Sequence, residues 1–132
     1  MSATDAETIQ QGVAALNRGD AAGIEAVLAP DVELVPLAAA VDGSVYHGHG
    51  GLRRWLADLA EDWDEYALTL DEIEEVAPAQ MLVRARVSMR GRSSGVVMDS
   101  PAAWLCQMRA GKVARIEFFA DPEAARGAAR GG

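Results

Sequence analysis

The first part of the chain shows the period of amphipathic helices. Apolar side chains return every three or four positions in two stretches separated by Gly19. The positions that define this period are Ile9, Val13, Leu16, Ile24, Val27 and Leu28. We therefore predict a first helix over about residues 5–18 and a second, short helix that Asp20 caps and Pro30 ends.

The pattern changes twice between residues 32 and 63. Alternating apolar and polar positions over residues 32–36 predict a short strand, and residues 37–48 are expected to form a loop. A second helical stripe follows, with apolar side chains at Leu52, Trp55, Leu56, Leu59 and Trp63. This spacing predicts a third helix that turns both tryptophans toward one apolar side.

From residue 66 onward the period changes from helical to alternating, which predicts strands. A polar hairpin loop and a tight turn separate the later strands, and an Asp-Pro pair starts a short C-terminal helix. The predicted elements are strands starting near Leu68 and covering residues 83–89, 96–108 and 113–119, turns at 91–95 and 109–111, and a helix after Pro122. Three helices followed by an antiparallel meander predict an α+β fold, with helices on one face of a curved sheet.

Length and charge narrow the class of protein. The 132 residues suffice for a single domain, and the formal net charge of -8 disfavours nucleic-acid and membrane-surface binding. The longest apolar run, residues 34–41, is too short to span a bilayer, and the N-terminus lacks the layout of a signal peptide. The single cysteine, Cys106, is interpreted as a packing residue. These features favour a cytoplasmic protein.

Three segments together resemble a known family. They are VAALNRGDAAGIEAVLAPDVELV, YHGHGGLRRWLADL and GRSSGVVMDSPAAWLCQMRAGKVARIEFFAD, which contain the motifs N-x-G-D, Y-x-G-x-x-G and G-K-V in that order. Their order and spacing resemble the SnoaL-like branch of the nuclear transport factor 2 (NTF2-like) superfamily. The resemblance implies a cone-shaped α+β barrel with a deep pocket, usually dimeric. It does not imply one activity, because the superfamily holds isomerases, epoxide hydrolases, polyketide cyclases and binding proteins.

The catalytic sets of these enzymes are absent at the positions that the resemblance implies. The three positions of the ketosteroid isomerase set fall on Gly12, Pro36 and Ala103. The three positions of the epoxide hydrolase set fall on Ala85, Val87 and Phe118. The late strands, where the polyketide cyclases use a histidine, contain none.

An apolar interior is expected instead. The alternation from Val83 to Met89 and the apolar positions of the last strand predict one face that looks into the cone, which the third helix closes. The expected ligand-binding residues are Trp55, Leu59, Trp63, Val83, Ala85, Val87, Ala103, Ile116 and Phe118. Such a pocket suits a hydrophobic ring or chain, although the tryptophans are also compatible with plain core packing.

Asp99 is the first candidate for chemistry. If it shares a face with Pro101 and Ala103, it points into the cone near the mouth, where a carboxylate loses hydration and can carry a proton. The alternative is that the strand bulges at Ser100 and Pro101, which leaves Asp99 in solvent or paired with Arg90 or Arg92.

Tyr46, His47 and His49 are further candidates, ahead of the third helix. Either imidazole is a possible acid, base or orienting donor, and the tyrosine hydroxyl is a possible donor at the rim. The alternatives are helix capping for His49 and a backbone carbonyl partner for Tyr46. No third ligand accompanies the two histidines, so no metal and no cofactor is expected.

The last expectation concerns the outer face of the long hairpin. By the assumed alternation this face mixes arginines with apolar side chains, which is typical of a subunit interface. The residues concerned are Arg84, Arg86, Arg90, Trp104, Cys106 and Met108. We expect a homodimer through this face, or else a monomer whose arginines cover Trp104. The expected function is proton-transfer chemistry on a small hydrophobic metabolite; the alternatives are non-catalytic ligand binding and a dimerising accessory domain.

Overall fold

The computed structural model describes the backbone of residues 2–36 and 43–131 and the side chains of residues 5–36 and 43–129. Its helices are α1 (Ser2–Asn17), α2 (Ala21–Val27), α3 (Gly48–Asp62) and α4 (Pro122–Gly131). Its strands are β1 (Leu28–Val35), β2 (Tyr46–His47), β3 (Trp63–Ala77), β4 (Gln80–Gly91), β5 (Val97–Arg109) and β6 (Lys112–Phe119). The prediction of an α+β fold is confirmed.

The six strands form one mixed sheet in the order β2-β1-β6-β5-β4-β3. Only β1 and β6 run parallel; the other neighbours are antiparallel. The order ends with β2 on one side and β3 on the other, so the sheet stays open instead of closing into a barrel.

The sheet has an inner face, which α1, α2 and α3 cover, and an outer face, on which α4 packs. Val83 is fully buried on the inner face, where its partner across the ladder is Trp104. Leu82 is fully buried on the outer face, where it clusters with Ala103 and with Ala125 of α4. Each face thus has its own apolar core, the inner one much larger.

The parity of β5 is opposite to the expected one. The register pairs Val87 with Ser100 and Val83 with Trp104, so the even-numbered residues of β5 face inward. Burial of the large indole beside Phe118 favours this choice, and a shift of one residue turns every side chain of a strand over. The expectation that Asp99 and Ala103 face the interior is therefore wrong. So is the expectation that Trp104, Cys106 and Met108 lie on the outer face, since all three are buried inside.

Several element boundaries also differ from the prediction. In the predicted loop over residues 37–48, Tyr46–His47 form β2 and Gly48 begins α3, and residues 37–42 of that loop lie outside the described residues. The helix α2 ends at Val27, and β1 begins at Leu28, because Leu28 already pairs with Val113 of β6. Trp63 is the first residue of β3, paired with Gly91, and does not belong to the stripe of α3. The expectation of two tryptophans on one helical stripe is therefore wrong.

The N-x-G-D motif joins α1 to both α2 and the sheet. Asp20 caps α2 by accepting a hydrogen bond from the Gly23 amide at 2.9 Å, as predicted. Asn17 donates from Nδ2 to the Leu68 carbonyl and accepts from the Leu68 amide, both at 2.8 Å. Because β3 is the last strand of the sheet, this amide satisfies backbone groups that would otherwise lack a partner in the protein.

Replacing Asn17 by alanine is expected to lower the free energy of unfolding by about 1–3 kcal/mol, since the Leu68 amide and carbonyl both lose their partner. Urea denaturation followed by far-ultraviolet circular dichroism measures this change. Gln11→Ala, at an exposed position of the same helix, is the control and is expected to stay within about 0.5 kcal/mol. Equal effects of the two substitutions would show that the two Asn17–Leu68 hydrogen bonds contribute nothing to the free energy of unfolding.

None of the helices in the described part of the chain is long and apolar enough to cross a membrane.

Candidate functional site

The helices and the inner face enclose a small apolar cavity of about 80 Å³. It lies between α1, α2 and α3 on one side and β1, β3, β5 and β6 on the other. Gly12, Leu28, Leu34, Cys106, Val113 and Ile116 are among its lining residues. A space of this size holds a small group rather than a whole metabolite, because ligand pockets measure about 300–1,000 Å³.

A larger, open cleft of about 380 Å³ adjoins this cavity, and we call it the mouth cleft. It lies at the end of the inner face where β3, β4 and β5 meet α3. Its floor and walls include Trp55, Tyr66, Val87, Met89, Ser100 and Phe118. This cleft has the volume of a ligand pocket and is the candidate functional site.

An aromatic cluster separates the mouth cleft from the cavity. The rings of Trp55 and Phe118 stack with centroids 6.1 Å apart, and Phe118 also contacts Trp104 at 5.7 Å. Tyr66 meets Trp55 edge to face at 6.3 Å. Trp55 and Phe118 border both spaces, so their rings form the apolar base of the cleft, which we call the platform.

Among the described residues that line the mouth cleft, two carry hydroxyls, and Trp55 adds an indole N–H. The hydroxyls belong to Tyr66 and Ser100, which lie on the inner face opposite Met89 and Val87. Burial raises the pKa of Tyr66 to about 12, so its hydroxyl stays protonated at neutral pH. No hydrogen-bond partner for that hydroxyl is found among the residues with described side chains. Tyr66 is not among the site residues predicted from the sequence. Its alternation with Leu68 and Leu70 is the signal that places it on the apolar face of the strand.

Asp99 lies on the outer face, away from the mouth cleft. Its side chain is 57 % exposed and pairs with Arg86 at 3.3 Å. Its neighbour across the ladder is Ser88, another exposed residue. The predicted alternative of a solvated, arginine-paired Asp99 is close to the structure, with a different arginine. The desolvation that made this carboxylate a candidate acid or base is absent.

The three other candidates for catalytic residues make structural contacts around the start of α3. Tyr46 donates its hydroxyl to the Asp58 carboxylate at 2.7 Å, and His47 lies 3.8 Å from the Glu33 carboxylate on the surface. The Nε2 of His49 is 3.2 Å from the Leu28 carbonyl, which ties the start of α3 to β1. These contacts favour the packing alternatives, and none of the three residues borders the mouth cleft or the enclosed cavity.

The Y-x-G-x-x-G motif has a structural explanation at the same place. Gly48 begins α3 with a φ of 69°, which other residues rarely adopt. A Cβ on Gly51 would lie 2.9 Å from the backbone of Tyr46, so only glycine permits this close approach. The motif therefore sets the angle between β2 and α3, which places Trp55 over the sheet.

The expected ligand-binding residues fall into separate places. Those that border the mouth cleft are Trp55, Leu59, Val87 and Phe118; Ala103 also touches its edge, although it packs on the outer face. Ile116 lines the enclosed cavity, and Val83 and Ala85 belong to the packed core of the inner face. Trp63 lies in another groove, between the end of α1 and α3.

Cys106 is fully buried in the wall of the enclosed cavity, and this burial raises the pKa of its thiol to about 12. A thiol that stays protonated is a poor nucleophile, in agreement with its interpretation as a packing residue. In the part of the chain with described side chains, no group of three histidine, cysteine, aspartate or glutamate residues is placed to hold a metal ion.

The outer face offers less to a partner than the sequence suggested. Arg84 pairs with Glu72, Arg86 with Asp99, and Arg90 with Glu65. Trp104 and Met108 are buried on the opposite face and cannot contribute to an interface here. Leu82 and Ala103 of the outer face lie beneath α4, whereas Val97 on the same face is exposed. The expected homodimer stays a prediction, and Trp104, Cys106 and Met108 are not part of the face through which it was expected.

Comparison with known proteins agrees with this architecture. A family model described as a SnoaL-like domain matches residues 9–116. The uncharacterised protein Rv0034 of Mycobacterium tuberculosis is 32 % identical over 123 residues, covering 91 % of this chain and 92 % of its own. An NTF2-like protein of unknown function from Burkholderia pseudomallei superposes with a TM-score of 0.79 at 20 % identity, over 92 % of this chain and 93 % of its own. The protein TerC, co-crystallised with polyporic acid, superposes with a TM-score of 0.81 at 24 % identity, over 92 % and 94 %.

Proposed function

Because the chain belongs to the SnoaL-like family of NTF2-like proteins, we propose that it binds a small, mainly apolar ligand in the mouth cleft without transferring a proton. One observation supports this proposal above the others. The described residues that line the cleft include no carboxylate, imidazole, amine or guanidinium group.

Shape and lining favour binding of a flat, apolar body. The stacked rings of Trp55 and Phe118 offer a platform, and Val87 and Met89 offer an apolar wall. Aromatic rings stack on such platforms in offset or edge-to-face arrangements, which add about 0.5–1.5 kcal/mol beyond burial of the area. A ligand with at least one unsaturated ring fits these surfaces.

Proton transfer is disfavoured by what the cleft contains. General acid–base catalysis requires a group with a pKa near the working pH within hydrogen-bond reach of the ligand. Burial raises the pKa of Tyr66 to about 12, which leaves this hydroxyl a donor of hydrogen bonds and a poor base. Asp99, His47 and His49 have their contacts elsewhere. Ligand binding without catalysis is therefore favoured over proton-transfer catalysis.

Isothermal titration calorimetry with 2-acetylnaphthalene tests the binding site. We expect Trp55→Leu to weaken binding by at least about tenfold, since it removes one ring of the platform and the contacts that this half-buried indole would make with the ligand. The matched control is Trp63→Leu, which alters a tryptophan in a different groove and is expected to leave the affinity within about twofold. Equal losses in the two variants, or no binding of 2-acetylnaphthalene to the wild type, would contradict the proposal.

Hydrogen exchange of the ketone distinguishes binding from proton transfer. The methyl protons of 2-acetylnaphthalene are acidic enough to exchange with deuterium when an acid–base catalyst acts on them. In deuterated buffer, proton nuclear magnetic resonance is expected to show the same exchange rate with the wild type, with Asp99→Asn and without protein. Exchange that the wild type accelerates would overturn the non-catalytic proposal, and its loss in Asp99→Asn would assign the catalysis to that carboxylate.

A further inference from the structure

The mouth cleft has neutral hydrogen-bonding groups at two places and no described charge between them. Tyr66 lies on β3 and Ser100 on β5, on the same face and on either side of β4. Two strand spacings and an offset of two residues along the strands separate them, or roughly 12 Å. The side chains between them are apolar, with Val87 and Met89 on β4. A ligand on the platform therefore meets apolar surface in the middle and a hydroxyl at each side.

This arrangement treats neutral and charged ligands differently. A carboxylate that enters the cleft loses hydration, and no described lining residue offers a cation in return. One or two hydroxyls do not replace the water shell of a full charge, and the net charge of -8 adds repulsion from a distance. A neutral carbonyl or ether oxygen loses far less hydration and gains a hydrogen bond.

Tyr66 is the better placed of the two donors. Its ring is held edge to face against Trp55, with centroids 6.3 Å apart, so a ligand does not have to immobilise it. The ring is half-buried, and no hydrogen bond from its hydroxyl to a described side chain or backbone group is found. A ligand acceptor would therefore replace water as the partner of this hydroxyl, without breaking a contact within the protein.

We propose that the mouth cleft selects neutral ligands with a hydrogen-bond acceptor over their carboxylate analogues, and that Tyr66 determines this specificity by donating to the acceptor. The inference rests on the proposed function, because it concerns the ligand of the same site. It assigns Tyr66 to recognition and Ser100 to the second, weaker polar contact.

Three ligands of similar shape test the inference: 2-acetylnaphthalene as the neutral acceptor, 2-isopropylnaphthalene as the hydrocarbon and 2-naphthoate as the anion. Calorimetry at pH 7 is expected to show at least about tenfold weaker binding of the naphthoate than of the ketone. Tyr66→Phe is expected to weaken the ketone by about three- to tenfold, the loss of one hydrogen bond. The same substitution is expected to leave the hydrocarbon within about twofold, which also shows that the variant is folded. Ser100→Ala is expected to weaken the ketone by less than Tyr66→Phe does.

Each contrary result has a distinct meaning. Naphthoate that binds as tightly as the ketone would overturn the selection for neutral ligands. A Tyr66→Phe variant that weakens all three ligands equally, or none, would overturn the role of the hydroxyl. In both cases the hydrocarbon still binds and the proposed function stands. If no ligand of the series binds the wild type, the proposed function fails and this inference fails with it.

Discussion

Replacing Trp104 by alanine is expected to lower the free energy of unfolding by about 3–5 kcal/mol. The indole is only 4 % exposed, lies opposite Val83 in the ladder and packs against Phe118 with ring centroids 5.7 Å apart. Its removal leaves a void next to an existing cavity of about 80 Å³. Because this side of the indole is already poorly packed, few neighbouring side chains can move in to fill the void. Guanidinium denaturation measured by circular dichroism gives the change.

The control for this prediction is Val97→Ala on the same strand. Val97 is 65 % exposed, so its truncation is expected to change the stability by less than about 0.5 kcal/mol. If Trp104 instead lay on an outer interface, its substitution would alter the mass of the assembly in sedimentation and leave the unfolding of the monomer almost unchanged. That result would contradict the inward parity of β5.

Replacing Leu82 by alanine is expected to lower the free energy of unfolding by about 2–5 kcal/mol through the opposite face of the sheet. Leu82 is fully buried in a cluster with Ala103 and with Ala125 of α4, against which Val76 and Phe119 also pack. Because Ala125 brings only a methyl group to this contact, most of the apolar area that holds α4 belongs to Leu82 and its neighbours. We also expect faster amide exchange in α4, which mass spectrometry of peptic fragments detects.

Leu82→Met is the matched control, since it nearly conserves the volume and is expected to change the stability by less than about 1.5 kcal/mol. A second bond of α4 to the sheet is unaffected by either variant. Arg126 donates to both carboxylate oxygens of Glu74, at 2.7 and 2.8 Å, which keeps the pKa of Glu74 low. Loss of stability without any faster exchange in α4 would mean that Leu82 supports the sheet and does not hold the helix.

Local patterns sufficed to predict most elements, but not the face of β5. The helical period of Ile9, Val13 and Leu16 depends only on residues within one turn of one another. Which side of β5 faces inward depends on its pairing with β4, and the polar run between the two strands does not specify a register. Both sides of β5 contain apolar residues, so alternation alone could not decide between Ala103 and Trp104.

The candidate site was predictable to a similar extent. The apolar floor followed from the alternation that includes Val87 and Phe118, and from Trp55 on the stripe of α3. Tyr66 was not recognised because a lone tyrosine at the start of a strand is common, and its meaning comes from Trp55 and Met89, which other elements supply. Trp63 was misplaced because α3 ends one residue before it, where the Trp63 amide still bonds to the Leu59 carbonyl.

The parallel pairing of β1 with β6 has a consequence for synthesis on the ribosome. Leu34 of β1 pairs with Ile116 of β6. The strand β1 is synthesised early, but its backbone hydrogen bonds to β6 form only after nearly the whole chain has been made. Until then the nascent N-terminal third has only the two-residue β2 as a ladder neighbour. Contacts between such distant segments close slowly. We expect release of the chain before residue 119 to yield products that chaperones and proteases recognise, even though they contain most of the hydrophobic residues.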